Sequence, residues 1–112
     1  LRASDPAKEK KAGNPGAEWM AFRGLSFLRV APAGRRILTA GCAGGWKNGC
    51  FRWPLWSVPL SRPVARTLVQ MAGLAGQDAQ TRRARGIAVV FESGIRRLDQ
   101  GGYGSFAPAR VI

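Results

Sequence analysis

Apolar residues in this chain come in short runs cut apart by glycine, proline and arginine. Over residues 1–18 there is little apolar area. Asp5-Pro6, the mixed run Lys8-Glu9-Lys10-Lys11 and Asn14-Pro15-Gly16 supply charges and breakers that cannot offset the entropy of ordering. This stretch reads as a disordered basic tail. Trp19-Met20-Ala21-Phe22 opens the first apolar patch, which continues through Leu25, Phe27, Leu28 and Val30. Its spacing fits a helix and a strand equally well, and Pro32 and Gly34 are expected to close it.

Two short apolar runs follow, Ile37–Thr39 and Cys50–Trp53, separated by Gly41, Gly44, Gly45 and Asn48-Gly49. Asn-Gly tolerates positive φ at both central turn positions, so the pattern predicts a glycine-rich hairpin over 37–53 with a long or bulged loop. From Trp53 to Pro59 an extended connector is expected, because Pro54 and Pro59 lack the amide donors of an internal strand or helix. The clearest helix spans 62–75. Ser61 stands at its N-cap, Pro63 in its first turn, Gly76 at its end, and Val64, Leu68, Met71, Ala72 and Ala75 form one stripe. Asp78 is placed to cap a second short helix ending at Gly86. Ile87-Ala88-Val89-Val90-Phe91 is β-branched and reads as a strand, with Ile95–Asp99 either a helical turn or an edge strand.

These elements predict a small single α+β domain over 19–99, built from a glycine-rich hairpin, one main amphipathic helix and a further strand. Flexible ends are expected at 1–18 and, glycine-rich, at 100–112. The core should be thin. Leu, Ile, Val and Phe total 25 of 112 residues, and 17 of the remaining apolar residues are alanine, which buries little area.

Composition narrows the chemistry. With no histidine the commonest acid–base group and metal ligand is missing, and Cys42 and Cys50 alone cannot complete a four-ligand zinc site. The acids Asp5, Glu9, Glu18, Asp78, Glu92 and Asp99 show no paired spacing, so neither enzyme activity nor a metal or other cofactor is expected. Uncharged stretches such as Ile37–Trp46 fall short of the roughly 18 apolar residues that span a membrane. Leu38-Thr39-Ala40-Gly41-Cys42 has the look of a lipobox, but Arg35 and Arg36 interrupt the apolar run before it. An intracellular setting is favoured. Across the seven residues between them, Cys42 and Cys50 could close a small disulfide loop under oxidising conditions and would stay free thiols in the cytosol.

The functional signal lies in charge. Eighteen Lys and Arg against six Asp and Glu give a net +12, and arginine outnumbers lysine 14 to 4. Guanidinium groups bind phosphate bidentately and stay charged at any physiological pH. The doublets Arg35-Arg36, Arg82-Arg83 (with Arg85 beside them) and Arg96-Arg97 join Arg52, Arg62 and Arg66 as candidate contacts. Aromatics interleave with them at Trp46-Lys47 and Phe51-Arg52-Trp53. Single-stranded RNA readers combine exposed aromatic faces with nearby cations. Trp46, in its glycine loop, is expected to be exposed, whereas Trp53 and Trp56 are expected to serve the core. Gly102-x-Gly104-x-x-Ala107 matches the spacing of phosphate-binding loops but lacks the strand, helix and downstream acid those loops need.

The expectation is therefore a non-enzymatic, RNA-contacting accessory protein of a ribosome or other ribonucleoprotein, with RNA favoured over DNA. One alternative is a structural subunit of an acidic protein assembly, docked through its tryptophans and prolines. The other is a reading frame under no selection, since Gly, Ala, Arg and Pro all have GC-rich codons and codon bias alone raises basicity.

Overall fold

The structure, a computed structural model, describes residues 13–71, 76–97 and 104–112. It is a small single α+β domain, as the patterning predicts. The first helix, α1 (Pro15–Gly24), begins inside the stretch expected to be tail. The residues read as breakers are its start signals. Asn14 accepts at its side-chain oxygen from the amides of Gly16 (3.0 Å) and Ala17 (3.2 Å), Pro15 needs no donor in the first turn, and Glu18 faces the positive end of the helix dipole. A 3-10 turn, Leu25–Phe27, ends it.

Strands β1 (Val30–Ala33) and β2 (Arg36–Thr39) form a separate antiparallel hairpin in which Pro32 opposes Ile37. Pro32 thus sits within a strand instead of closing the apolar patch, a place open to proline because this two-stranded sheet has only edges. Gly34, at φ +61°, takes the first position of the two-residue turn, where a side chain would be strained.

The main sheet is built from β3 (Cys42–Ala43), β4 (Cys50–Trp56), β5 (Ile87–Arg97), β6 (Gly104–Phe106) and β7 (Arg110–Val111). Strand β4 pairs with β3 on one side and with β5 on the other, and both β6 and β7 fold back onto β5. The predicted strands at 37–39 and 50–53 both exist, but they do not pair with each other. Each finds another partner, the adjacent β1 for the former and the long β5 for the latter.

Two further corrections concern strands. Pro54 lies buried inside β4, opposite Val90, where a connector was expected. The carbonyl of Val90 accepts from the Ile112 amide at 3.0 Å, so the polar groups of Val90 point toward the C-terminal strand and away from β4. The pair Pro54–Val90 then requires no bond between them, and the donor that proline lacks faces the open edge beyond β3. The segment expected to be a glycine-rich tail also folds in part, since β6 and β7 satisfy the outer edge of a long β5.

Helix α2 (Arg62–Gln70) presents Ala65 and Leu68 inward, while Val64 stays exposed, so the buried stripe is rotated from the predicted one; residues 72–75 lie outside those described. Helix α3 (Ala79–Ala84) is capped as predicted, with Asp78 accepting from the Thr81 amide at 2.7 Å. The core is small: Leu68, Ile87 and Val90, with Leu60, Met71 and Ile112 packed against them. The expected tail at 1–12 and residues 98–103 lie outside the described residues.

Candidate nucleic-acid interface

Strand alternation sorts the arginines. On one face of the main sheet, Arg52 (β4), Glu92 (β5) and Arg110 (β7) stand side by side in register. The Arg52 Nε donates to one Glu92 oxygen at 2.7 Å, and Arg110 donates to the other through Nη2 (2.7 Å) and Nε (3.2 Å). The Glu92 side chain is only 11% exposed. These bonds, from Arg110 first and Arg52 second, outweigh the cost of burial and hold its carboxyl down to about 2 from an ordinary 4.5. Arg52 is thereby committed to the fold. Arg82 is also engaged internally, donating to the Ile112 backbone carbonyl and tying α3 to the end of β7.

At the far end of β5 the arrangement differs. Arg97 lays its guanidinium over the Trp46 indole, 4.1 Å from the ring centre, while Trp46 remains 62% exposed. Together with Arg36, Ile37 and Ile95 they line a cleft of about 490 Å³ floored by Gly44, Gly45 and Gly49. Three elements distant in sequence thus bring two cations and one open aromatic face together. Lys47 follows Trp46 in the same exposed loop, and Arg35 is exposed in the turn beside Arg36.

The remaining candidates do not join this cleft. Arg62 and Arg66 project from α2 toward α1, where with Arg23 they line a second cleft of about 660 Å³ beside Trp19, Met20, Phe22 and Phe27. Arg83 and Arg85 are exposed on and just after α3, and Arg96 is exposed one residue out of phase with Arg97. Trp53 is half-buried in a row of ring contacts, Phe51 to Trp53 at 5.5 Å and Trp53 to Phe91 at 5.7 Å, whereas Trp56 is 39% exposed.

Sequence reasoning did not select Glu92, Arg110 or Arg23. The first two acquire meaning only from the pairing of β7 with β5, which the chain order does not reveal. A usable signal for Glu92 was an acid two residues beyond Val90 in a β-branched run, hence on the same face of the strand.

Cys42 and Cys50 are free thiols. Cys42 pairs with Phe51 and Ala43 with Cys50, so the two cysteines are one residue out of register and alternate to opposite faces. Loss of water around each thiol, the leading cause, raises both above the usual value. For Cys42 the neighbouring Cys50 raises it further and Arg97 opposes; for Cys50 Arg52 opposes. Neither is an activated nucleophile. Among the described residues no group of His, Cys, Asp and Glu is placed to hold a metal ion, and no helix is long and apolar enough to cross a membrane. No protein-family model, curated protein or solved structure matches this chain.

Proposed function

We propose that the chain is a non-enzymatic accessory protein that contacts RNA within a ribosome or other ribonucleoprotein, with the Trp46–Arg97–Arg36 cleft as its contact point. The observation that carries this reading is an exposed indole with a guanidinium on one face, a second arginine across the cleft and Lys47 adjacent. An unpaired base stacks on such a ring whatever its identity, and the cations take the flanking phosphates. A stacked base must be unpaired, which favours single-stranded RNA over duplex. The net charge of +12 adds attraction at longer range.

The test is fluorescence anisotropy of a labelled single-stranded RNA across a salt series. Three cations in contact give a log–log slope near −2, from about −0.7 per phosphate on a single strand. Trp46→Ala weakens binding by about 1–3 kcal/mol, and Trp46→Phe retains most of it. A flat salt response, or indifference to Trp46→Ala, contradicts the proposal.

A role as a subunit of a protein assembly has one observation in its favour. Trp19, Met20 and Phe22 on α1 are all more than half exposed, with Trp19 and Phe22 stacked at 5.8 Å. On that reading Trp19→Ser with Phe22→Ser abolishes co-sedimentation with the assembly and leaves RNA affinity unchanged.

A further inference from the structure

Between α1, β4 and α2 runs an open groove of about 650 Å³, within the range of small-molecule sites. Its walls include Leu25, Leu28, Phe51, Trp53, Leu60 and Val69, and among the described residues the one charged side chain lining it is Arg62. The groove shares Gly24, Phe27 and Arg62 with the neighbouring cleft, where Arg23 and Arg66 are added. Among the described residues no acid lines either one. Arg66 sits over the Phe27 ring at 5.6 Å, and its buried Nε has no hydrogen-bond partner. That nitrogen is shielded from solvent, so Arg66 offers the cleft its charge and its outer guanidinium N–H groups.

From this juxtaposition of an apolar trough and a mouth lined by Arg23, Arg62 and Arg66, we propose that the groove binds a long-chain carboxylate. The alkyl chain lies along Leu28, Phe51 and Trp53, and the carboxylate meets Arg62 and the outer guanidinium nitrogens of Arg66. A peptide fits less well. Apart from the indole N–H groups and Arg62, the lining side chains offer nothing to pair with a backbone that carries a donor and an acceptor at each residue. A lone apolar molecule would leave the arginines unanswered. This inference uses side chains separate from the Trp46 cleft and stands or falls independently of RNA contact.

Oleate titrated into the full chain, below its micellar range, tests it through tryptophan fluorescence and the resonance of a ¹³C-labelled carboxyl. The expected result is saturation at one oleate per chain with a shifted carboxyl resonance. Oleyl alcohol, with the same tail and no charge, binds at least tenfold more weakly. Arg62→Gln with Arg66→Gln weakens oleate at least tenfold and leaves the alcohol unchanged. Arg83→Gln with Arg85→Gln removes the same charge elsewhere and has no effect.

Equal losses in the two double variants would reduce oleate binding to net charge and overturn the proposal. So would equal affinity for oleate and the alcohol, or uptake without saturation. A dimer by sedimentation that Trp53→Ser dissolves would assign the groove to a second copy of the chain. Should the arginine variants lose their near-ultraviolet dichroism, the carboxyl shift in the unaltered chain still decides: an unshifted resonance excludes the site.

Discussion

Strand β5 passes through two regions that use arginine in opposite ways. From Val90 to Glu92 it is flanked on both sides, by β4 and by the C-terminal segment, its core packed against α2 and its carboxylate shared by Arg52 and Arg110. At Arg96 and Arg97 it pairs with β6 alone, and Arg97 rests on an exposed indole. In the first region the guanidinium groups close the sheet across three strands. In the second a cation and a ring share an open cleft, where both can still reach a ligand. Net charge does not distinguish the two; register does. Arg52 and Arg97 are equally basic in the sequence, yet only one retains a solvent-facing partner.

If stability resides in the first region, Leu68→Ala should do the most damage. It opens a cavity in a core with few other members and should cost about 2–3 kcal/mol by chemical denaturation. Glu92→Gln should come next, at about 2 kcal/mol, because Arg52 is left half-buried without its countercharge.

The same carboxylate gives a pH signature. Its folded value of about 2 lies below the ordinary 4.5, so the unfolded chain takes up the proton first. The stabilisation is complete above about pH 4.5 and drains as pH falls toward 2. Denaturation midpoints across that window should fall steeply in the unaltered protein and much less in Glu92→Gln. The smallest effect is expected at Ile37→Ser in the β1–β2 hairpin, within about 0.5 kcal/mol, since Ile37 is 74% exposed. A large loss there would move the hairpin into the stabilising core.

Legibility in the sequence followed the range of the interaction. The α3 cap at Asp78, the α2 start at Ser61-Arg62-Pro63 and the β-branched run from Ile87 were readable because neighbours along the chain decide them. Asn14-Pro15-Gly16 was equally local but ambiguous, since the same residues break one element and start another. Pairing was not readable. The run at 50–53 is long enough for any of several partners, and it takes β5 because β5 offers a seven-pair ladder where 37–39 could offer only three. Pro54 inside β4 depended on which side of Val90 was already occupied. For the candidate interface, the exposure of Trp46 was legible from its glycine loop. Its partnership with Arg97 was not, because β4–β5 pairing creates it.

The central claim is that position, and not charge, selects the arginines that meet RNA. Arg97→Gln and Arg110→Gln each remove one positive charge, the first from the cleft and the second from the Glu92 cluster. RNA affinity of both variants, measured over the same salt series, is the most direct test. The account predicts that Arg97→Gln weakens binding and flattens the log–log slope by about 0.7, one phosphate contact, while Arg110→Gln keeps the affinity and slope of the unaltered chain. Equal losses in the two variants would contradict it.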